Sequence, residues 1–326
     1  MHIPDGFLSA RVALGYAALS SLALGLACFR LRAQRERGAS ALLGVSAAFV
    51  FAAQLVNFPV AAGTSGHLVG SALAGALLGF PGALLVMSAV IIMQCLVFAD
   101  GGVFALGANV FNMGVVGCVV GFCCYRLLCG ATPSPTRRVA SVAFAGWCAT
   151  IASAVSCAGQ LSLSGTARLS VVLPAMLGIH ALIGVGEAVI SSLIVASVLR
   201  FRAELLEDSR PFEAGARPRA TAVYAGLGLS VAVAALLAPF ADRAPDGFSR
   251  VAQALGLGSS APLPFRAPLS EYEVPGVVSG VFATVLAGCF GTLLLFGLCW
   301  LLARVLVPRP PRPSAASRAV AVESSG

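Results

Sequence analysis

"GHLVGSALAGALLG", residues 66–79, decides how this chain folds. It is apolar, yet short of the roughly 20 residues that a membrane-spanning helix needs. Glycine, alanine and serine dominate it, and small side chains let helices approach closely in a membrane bundle. The stretch therefore predicts a short third span packed inside other helices, opened by a single histidine, His67. Working outward, apolar runs predict spans at about 9–29, 41–57, 66–80, 82–98, 104–128, 139–160, 170–199, 220–239 and 275–303.

Composition agrees. Of 326 residues, 58% are hydrophobic and only 10% charged, with a mean hydropathy of +0.93. Soluble domains carry about 25% charged residues, so the expectation is an all-α polytopic membrane bundle. It has about seven spans plus a two-span C-terminal module. Every basic residue is arginine. Without lysine there is no P-loop and no lysine Schiff base, so any ATP-driven work needs another subunit. The ten cysteines lie in or beside apolar segments, and no C-x-x-C occurs, which favours buried structural thiols over zinc or redox sites.

The net charge of +8 is read as cytoplasmic loops rather than a nucleic-acid surface. Arginines follow the first span (Arg30, Arg32, Arg35, Arg37), flank the loop at Arg126, Arg137 and Arg138, and follow the seventh and ninth spans at Arg200, Arg202, Arg210, Arg217, Arg219, Arg304, Arg309 and Arg312. Alternating spans put all four clusters on the cytoplasmic side. The N-terminus, the loop before His67, the "FADGG" loop and the loop 240–274 then lie outside. Residues 206–219 read as a charged cytoplasmic linker, 220–306 as the two-span module, and 307–326 as a disordered tail.

The start, "MHIPDG" at residues 1–6, is unlike a signal peptide. A free Met1 amine, the His2 backbone nitrogen and the His2 imidazole can close two fused chelate rings on one metal ion. A fourth nitrogen completes a square plane suited to Ni(II) or Cu(II). Methionine trimming favours small second residues, so Met1 is expected to persist. His67, on the same face, is the candidate fourth ligand.

His180 and Glu187, seven residues apart on one helical face, read either as a polar relay supporting the metal or as a buried pair locking helix packing. His180 reads as too deep to ligate. Asn109 and Asn112 either support the ligands or bind neighbouring helices. Asp5 and Asp100 lie on the outer side, where each either attracts a cation or, as exposed loop aspartates usually do, only solvates a turn. "IPDGF" at 3–7 and "APDGF" at 244–248 are similar but too short to establish a repeat.

Four ordered segments, "MHIPDGFL", "GTSGHLVGSALAGALLG", "FADGGVFALGANVFNMGVVG" and "HALIGVGEAVI", together resemble the CbiM/NikM family over residues 1–205. These are the substrate-specific membrane components of energy-coupling factor transporters for cobalt or nickel. The resemblance implies Ni(II) or Co(II) as transported substrate, no prosthetic group, no enzymatic activity and metal ligands at Met1, His2 and His67. It also implies partner ATPases, a transmembrane coupling subunit, and a place in the bacterial inner membrane, the metal feeding cobalamin synthesis or nickel enzymes. Residues 220–306 resemble the family's small two-span component with its Pro-Asp-Gly-Leu-Glu motif, although Phe248 and Ser249 replace the Leu-Glu pair. Its outer loop is expected to aid delivery of the ion without supplying a ligand. The competing readings are an intramembrane metal enzyme using His2, His67, His180 and Glu187, and a scaffold with incidental histidines.

Overall fold

The computed structural model describes residues 1–34, 39–61, 63–203, 206, 220–258, 261 and 265–306. The expected tail, and the linker apart from Leu206, lie outside them. Helices α1 (Ala10–Gln34) and α2 (Ala39–Gln54) are followed by a two-residue antiparallel ribbon, β1 (Phe58–Pro59) with β2 (Ser65–Gly66). Then come α3 (Ser71–Phe98) and α4 (Leu106–Asn109). A π-helical stretch, Val110–Val116, joins α4 to α5 (Gly117–Cys129). The remaining elements are α6 (Pro135–Leu163), α7 (Leu169–Phe201), α8 (Ala220–Leu236), α9 (Gly247–Ala254) and α10 (Gly280–Leu306). Among the described residues seven helical segments are long and apolar enough to cross a membrane, and α2 is a shorter apolar helix.

The third and fourth spans differ from their expected form. They join as α3, which breaks at Gly79 (φ 67°, ψ 172°) with Pro81 just beyond. Glycine reaches that backbone conformation without a Cβ clash, and proline withholds an N–H from the preceding turn. The first arm, up to Leu78, is therefore a half-helix of about two turns. It fits a groove on the next crossing. A Cβ on Gly117 would meet Ser71 Oγ at 2.6 Å, and one on Gly121 would meet the Ala72 Cα at 2.7 Å. Small residues in the opening stretch are thus answered by small residues opposite, as in close helix packing generally.

The connections place the starts of α1, α4 and α7 at one end of the bundle with β1, β2 and the segment between α8 and α10. Thr166, before α7, donates to the Phe7 carbonyl, and Asp242, after α8, donates its N–H to the Asn57 carbonyl. The opposite end carries Arg32, Arg126, Arg137, Arg200 and Arg304 in last or first helical turns. Helix α2 is packed between α3 on one side and α8 and α10 on the other. Phe51 of α2 meets α10 at Gly291, and Val45 meets α8 at Gly226.

Candidate functional site

The first seven residues are threaded into the protein rather than left loose. Ile3 is gripped on both sides of its peptide: its N–H donates to Asn109 Oδ1 at 2.8 Å, and Asn109 Nδ2 donates to its carbonyl at 3.0 Å. The Gly102 N–H donates to the same carbonyl at 2.9 Å. Asp5 accepts from the backbone N–H groups of Val103, Phe104 and Ala105. It is buried and anchors the peptide, unlike the solvated turn expected from the sequence. A Cβ on Gly102 would stand 2.1 Å from Asp5 Oδ1, so the "ADGG" loop closes over the N-terminal peptide only because it lacks side chains there.

This grip brings the Met1 amine to 3.2 Å from His67 Nε2. His67 Nδ1 faces the Leu68 carbonyl at 2.9 Å. A carbonyl only accepts, so Nδ1 carries the proton and the Nε2 lone pair faces Met1. The His2 and His67 rings lie 5.6 Å apart, and both His2 ring nitrogens are buried without a hydrogen-bond partner. Burial, with the Met1 ammonium and the His2 ring beside it, pushes the His67 pKa down to about 4. Burial lowers His2 as well, against the pull of Asp100. Both imidazoles are therefore neutral at neutral pH, the state in which they ligate metals.

The loop carrying His67 is fixed from α7. Glu187 accepts the Val69 N–H at 2.6 Å and the Gly70 N–H at 3.0 Å. His180 donates Nδ1–H to the Met176 carbonyl one turn back, so its buried Nε2 has no partner. That nitrogen borders a small cavity shared with Met1, His67 and Gly247. His180 thus reaches the neighbourhood of the candidate ligands Met1 and His67, nearer than its depth in the sequence suggested. No hydrogen bond between His180 and Glu187 is found among the described residues, so a direct relay between them is not formed. Asn112 is not at the site. It exchanges hydrogen bonds with Gln160 and accepts from Ser156, tying the π-helical stretch to α6.

One residue at the site was missed in the sequence. Asp246, from the C-terminal module, accepts from the Met1 ammonium at 2.8 Å. Burial alone would raise its pKa, but the Met1 ammonium and the Ser249 N–H hold it well below the usual carboxylate range. Ser65 N–H donates to the Pro245 carbonyl, and its hydroxyl donates to the Ala244 carbonyl, so the motif lies directly on the His67 loop. The signal was the echo between the two pentapeptides: Phe7 and Phe248 pack edge to face at 5.2 Å, motif against motif.

Among the described residues no three His, Cys, Asp or Glu side chains converge to hold a metal. A donor set drawn from an amine, a backbone nitrogen and two imidazoles has only two such side chains.

The chain is similar to known proteins along most of its length. Residues 2–205 match the model described as the cobalt uptake substrate-specific transmembrane region, and residues 220–308 match the PDGLE domain. A putative fused nickel transport protein NikMN of Archaeoglobus fulgidus is 36% identical over 308 residues, covering 93% of this chain and 98% of that protein. The fused nickel transport protein NikMN of Rhodobacter capsulatus is 32% identical over 261 residues, 72% of each chain. A crystal structure of a truncated transition metal transporter superposes with a TM-score of 0.56 at 30% identity, covering 61% of this chain and 99% of that one. The chain belongs to the CbiM family, with a PDGLE domain fused at its C-terminal end.

Proposed function

We propose that this chain is the substrate-binding membrane component of an ATP-driven importer of Ni(II) or Co(II). The Met1 amine, the His2 backbone nitrogen, a His2 ring nitrogen and His67 Nε2 receive the ion. The carrying observation is the 3.2 Å approach of the Met1 amine to the unprotonated Nε2 of His67. Asn109 and Glu187 support the set by holding the two segments that bear it. The N-terminal face is external and the arginine-rich end cytoplasmic, following the positive-inside rule. Separate ATPases and a transmembrane coupling subunit in the plasma membrane supply the energy, since the sequence has no lysine for a P-loop. The relatives named as nickel transport proteins support this reading over an enzyme built on His2, His67, His180 and Glu187.

The test is nickel titration of the full chain carrying no N-terminal tag, paired with radioactive nickel and cobalt uptake in cells. Expected are one tight nickel per chain, a square-planar d–d absorption band, and uptake only when the coupling subunit and ATPases are present. Absence of tight binding, or uptake by this chain alone, overturns the reading.

A further inference from the structure

Beside the nitrogen donors lies a cavity of about 510 Å³ that reaches His2 and His67 on one side and the segment between α8 and α10 on the other. Its charge opposes that of the chain. Asp100, Asp242, Asp246, Glu271 and Glu273 border it against one arginine, Arg243, while the whole chain is +8. A cleft lined by one sign of charge concentrates the opposite ion.

Two further groups point at a ligand. Gln94 donates Nε2–H to Gln54 Oε1 at 2.8 Å, which leaves its own buried Oε1 without a partner on the cavity wall. Both nitrogens of His2 are likewise buried, unpartnered and on that wall. Asp100 stands on the same wall: Oδ2 accepts from the Tyr272 hydroxyl at 2.5 Å, while Oδ1 stands 3.8 Å from His2 Nδ1. The carboxylates do not converge to the distances of a direct chelate. They suit an ion that keeps its water. Small divalent ions lose water reluctantly and are commonly held through one or two carboxylates plus waters. Six waters at roughly 30 Å³ each fill roughly 180 Å³, well within the cavity.

We propose that this vestibule is a staging site for the hydrated divalent cation, anchored at Asp100 and Gln94 Oε1. The ion passes from there to the nitrogens as its water is replaced. The inference rests on the transport reading and extends it. The C-terminal module supplies Asp242, Asp246, Glu271 and Glu273, four of the five carboxylates, while leaving the nitrogen set to the first domain.

The probe is manganese(II), which sits lowest in the divalent affinity order and accepts oxygen ligands. Manganese chloride is titrated into the full chain in lipid nanodiscs, and the loss of the free-ion electron paramagnetic resonance signal is followed. One weak manganese per chain is expected in the wild type and in His67→Ala. At least tenfold weaker binding is expected in a combined Asp242→Asn, Glu271→Gln, Glu273→Gln variant. As a check independent of that variant's folding, the wild-type nickel on-rate should fall at least tenfold between low and high ionic strength. No manganese binding in the wild type, equal binding in the triple variant, or a salt-independent nickel on-rate each overturn the proposal. Manganese binding without any tight nickel site would instead sink the transport reading and leave the vestibule standing.

Discussion

The Met1 amine and His67 Nε2 stand 3.2 Å apart although 66 positions separate them in the chain. Neither position is set by its own segment. Met1 is placed by Asn109 on Ile3, and His67 by Glu187 on Val69 and Gly70. Removing His67 should therefore remove a donor while leaving the scaffold intact. His67→Ala is expected to lose more than the roughly 10–100-fold in metal affinity that loss of a supporting residue costs. His180→Ala should stay within that range. Calorimetric nickel titration of both variants decides, and equal affinities for wild type and His67→Ala would exclude His67.

One residue added before Met1 moves the amine away from His67 and Asp246. The chain should still insert and fold, because the contacts of Ile3 and Asp5 with Asn109 and residues 102–105 remain. High-affinity nickel binding should vanish, and an unchanged titration would exclude the amine as a donor.

Asn109→Ala removes a donor and an acceptor from a buried peptide group. Unsatisfied buried groups cost about 1–3 kcal/mol each, so thermal stability should fall measurably. Nickel affinity should fall by roughly 10–100-fold, as for other supporting residues. Asn109→Asp keeps only the acceptor for the Ile3 N–H and should lie between the two. An alanine variant with wild-type affinity would mean that Met1 and His2 are held without it.

Much of this was readable beforehand, and the physical reasons differ by feature. Helices announce themselves by composition, and the boundary drawn between residues 80 and 82 falls beside the real break, because glycine and proline act locally. The candidate ligand histidines stood out because a chain with three histidines offers few candidates. Asp246 did not, since its pairing with Met1 spans 245 positions between loops and leaves no periodic trace. Asp5 was misread for the same reason: its partners, Val103 to Ala105, lie on a distant loop.

Acid should weaken the metal-free protein. His67 falls from 6.5 to about 4 on folding, so between those values the unfolded chain binds more protons than the folded one. Stability then rises with pH through that window and declines on acidification. Asp246 acts in the same direction, its contribution being lost as the carboxyl protonates. The melting temperature should drop from pH 6.5 to pH 4, and His67→Gln should flatten part of that slope. A profile identical to wild type would contradict a neutral buried His67.

Asp246→Asn leaves the Met1 ammonium, whose side chain is 2% exposed, without its counter-charge. Breaking a buried ion pair costs about 3–5 kcal/mol. With Asp246 itself 22% exposed, the lower end is expected in the melt of the metal-free protein. Truncation near residue 210 removes the carboxylate but no nitrogen donor. It should keep equilibrium nickel affinity within about tenfold while sharply lowering uptake with the partners present. Loss of equilibrium binding would show that the module builds the site.

The two modules are joined at two levels. Backbone hydrogen bonds join Ser65 to Pro245, Asn57 to Asp242 and Val97 to Leu269 at one end, and α2 packs against both α8 and α10 in the bundle. What covalent fusion secures is stoichiometry: every set of candidate nitrogen donors is made with one Asp246 and one acidic wall beside it, at any expression level.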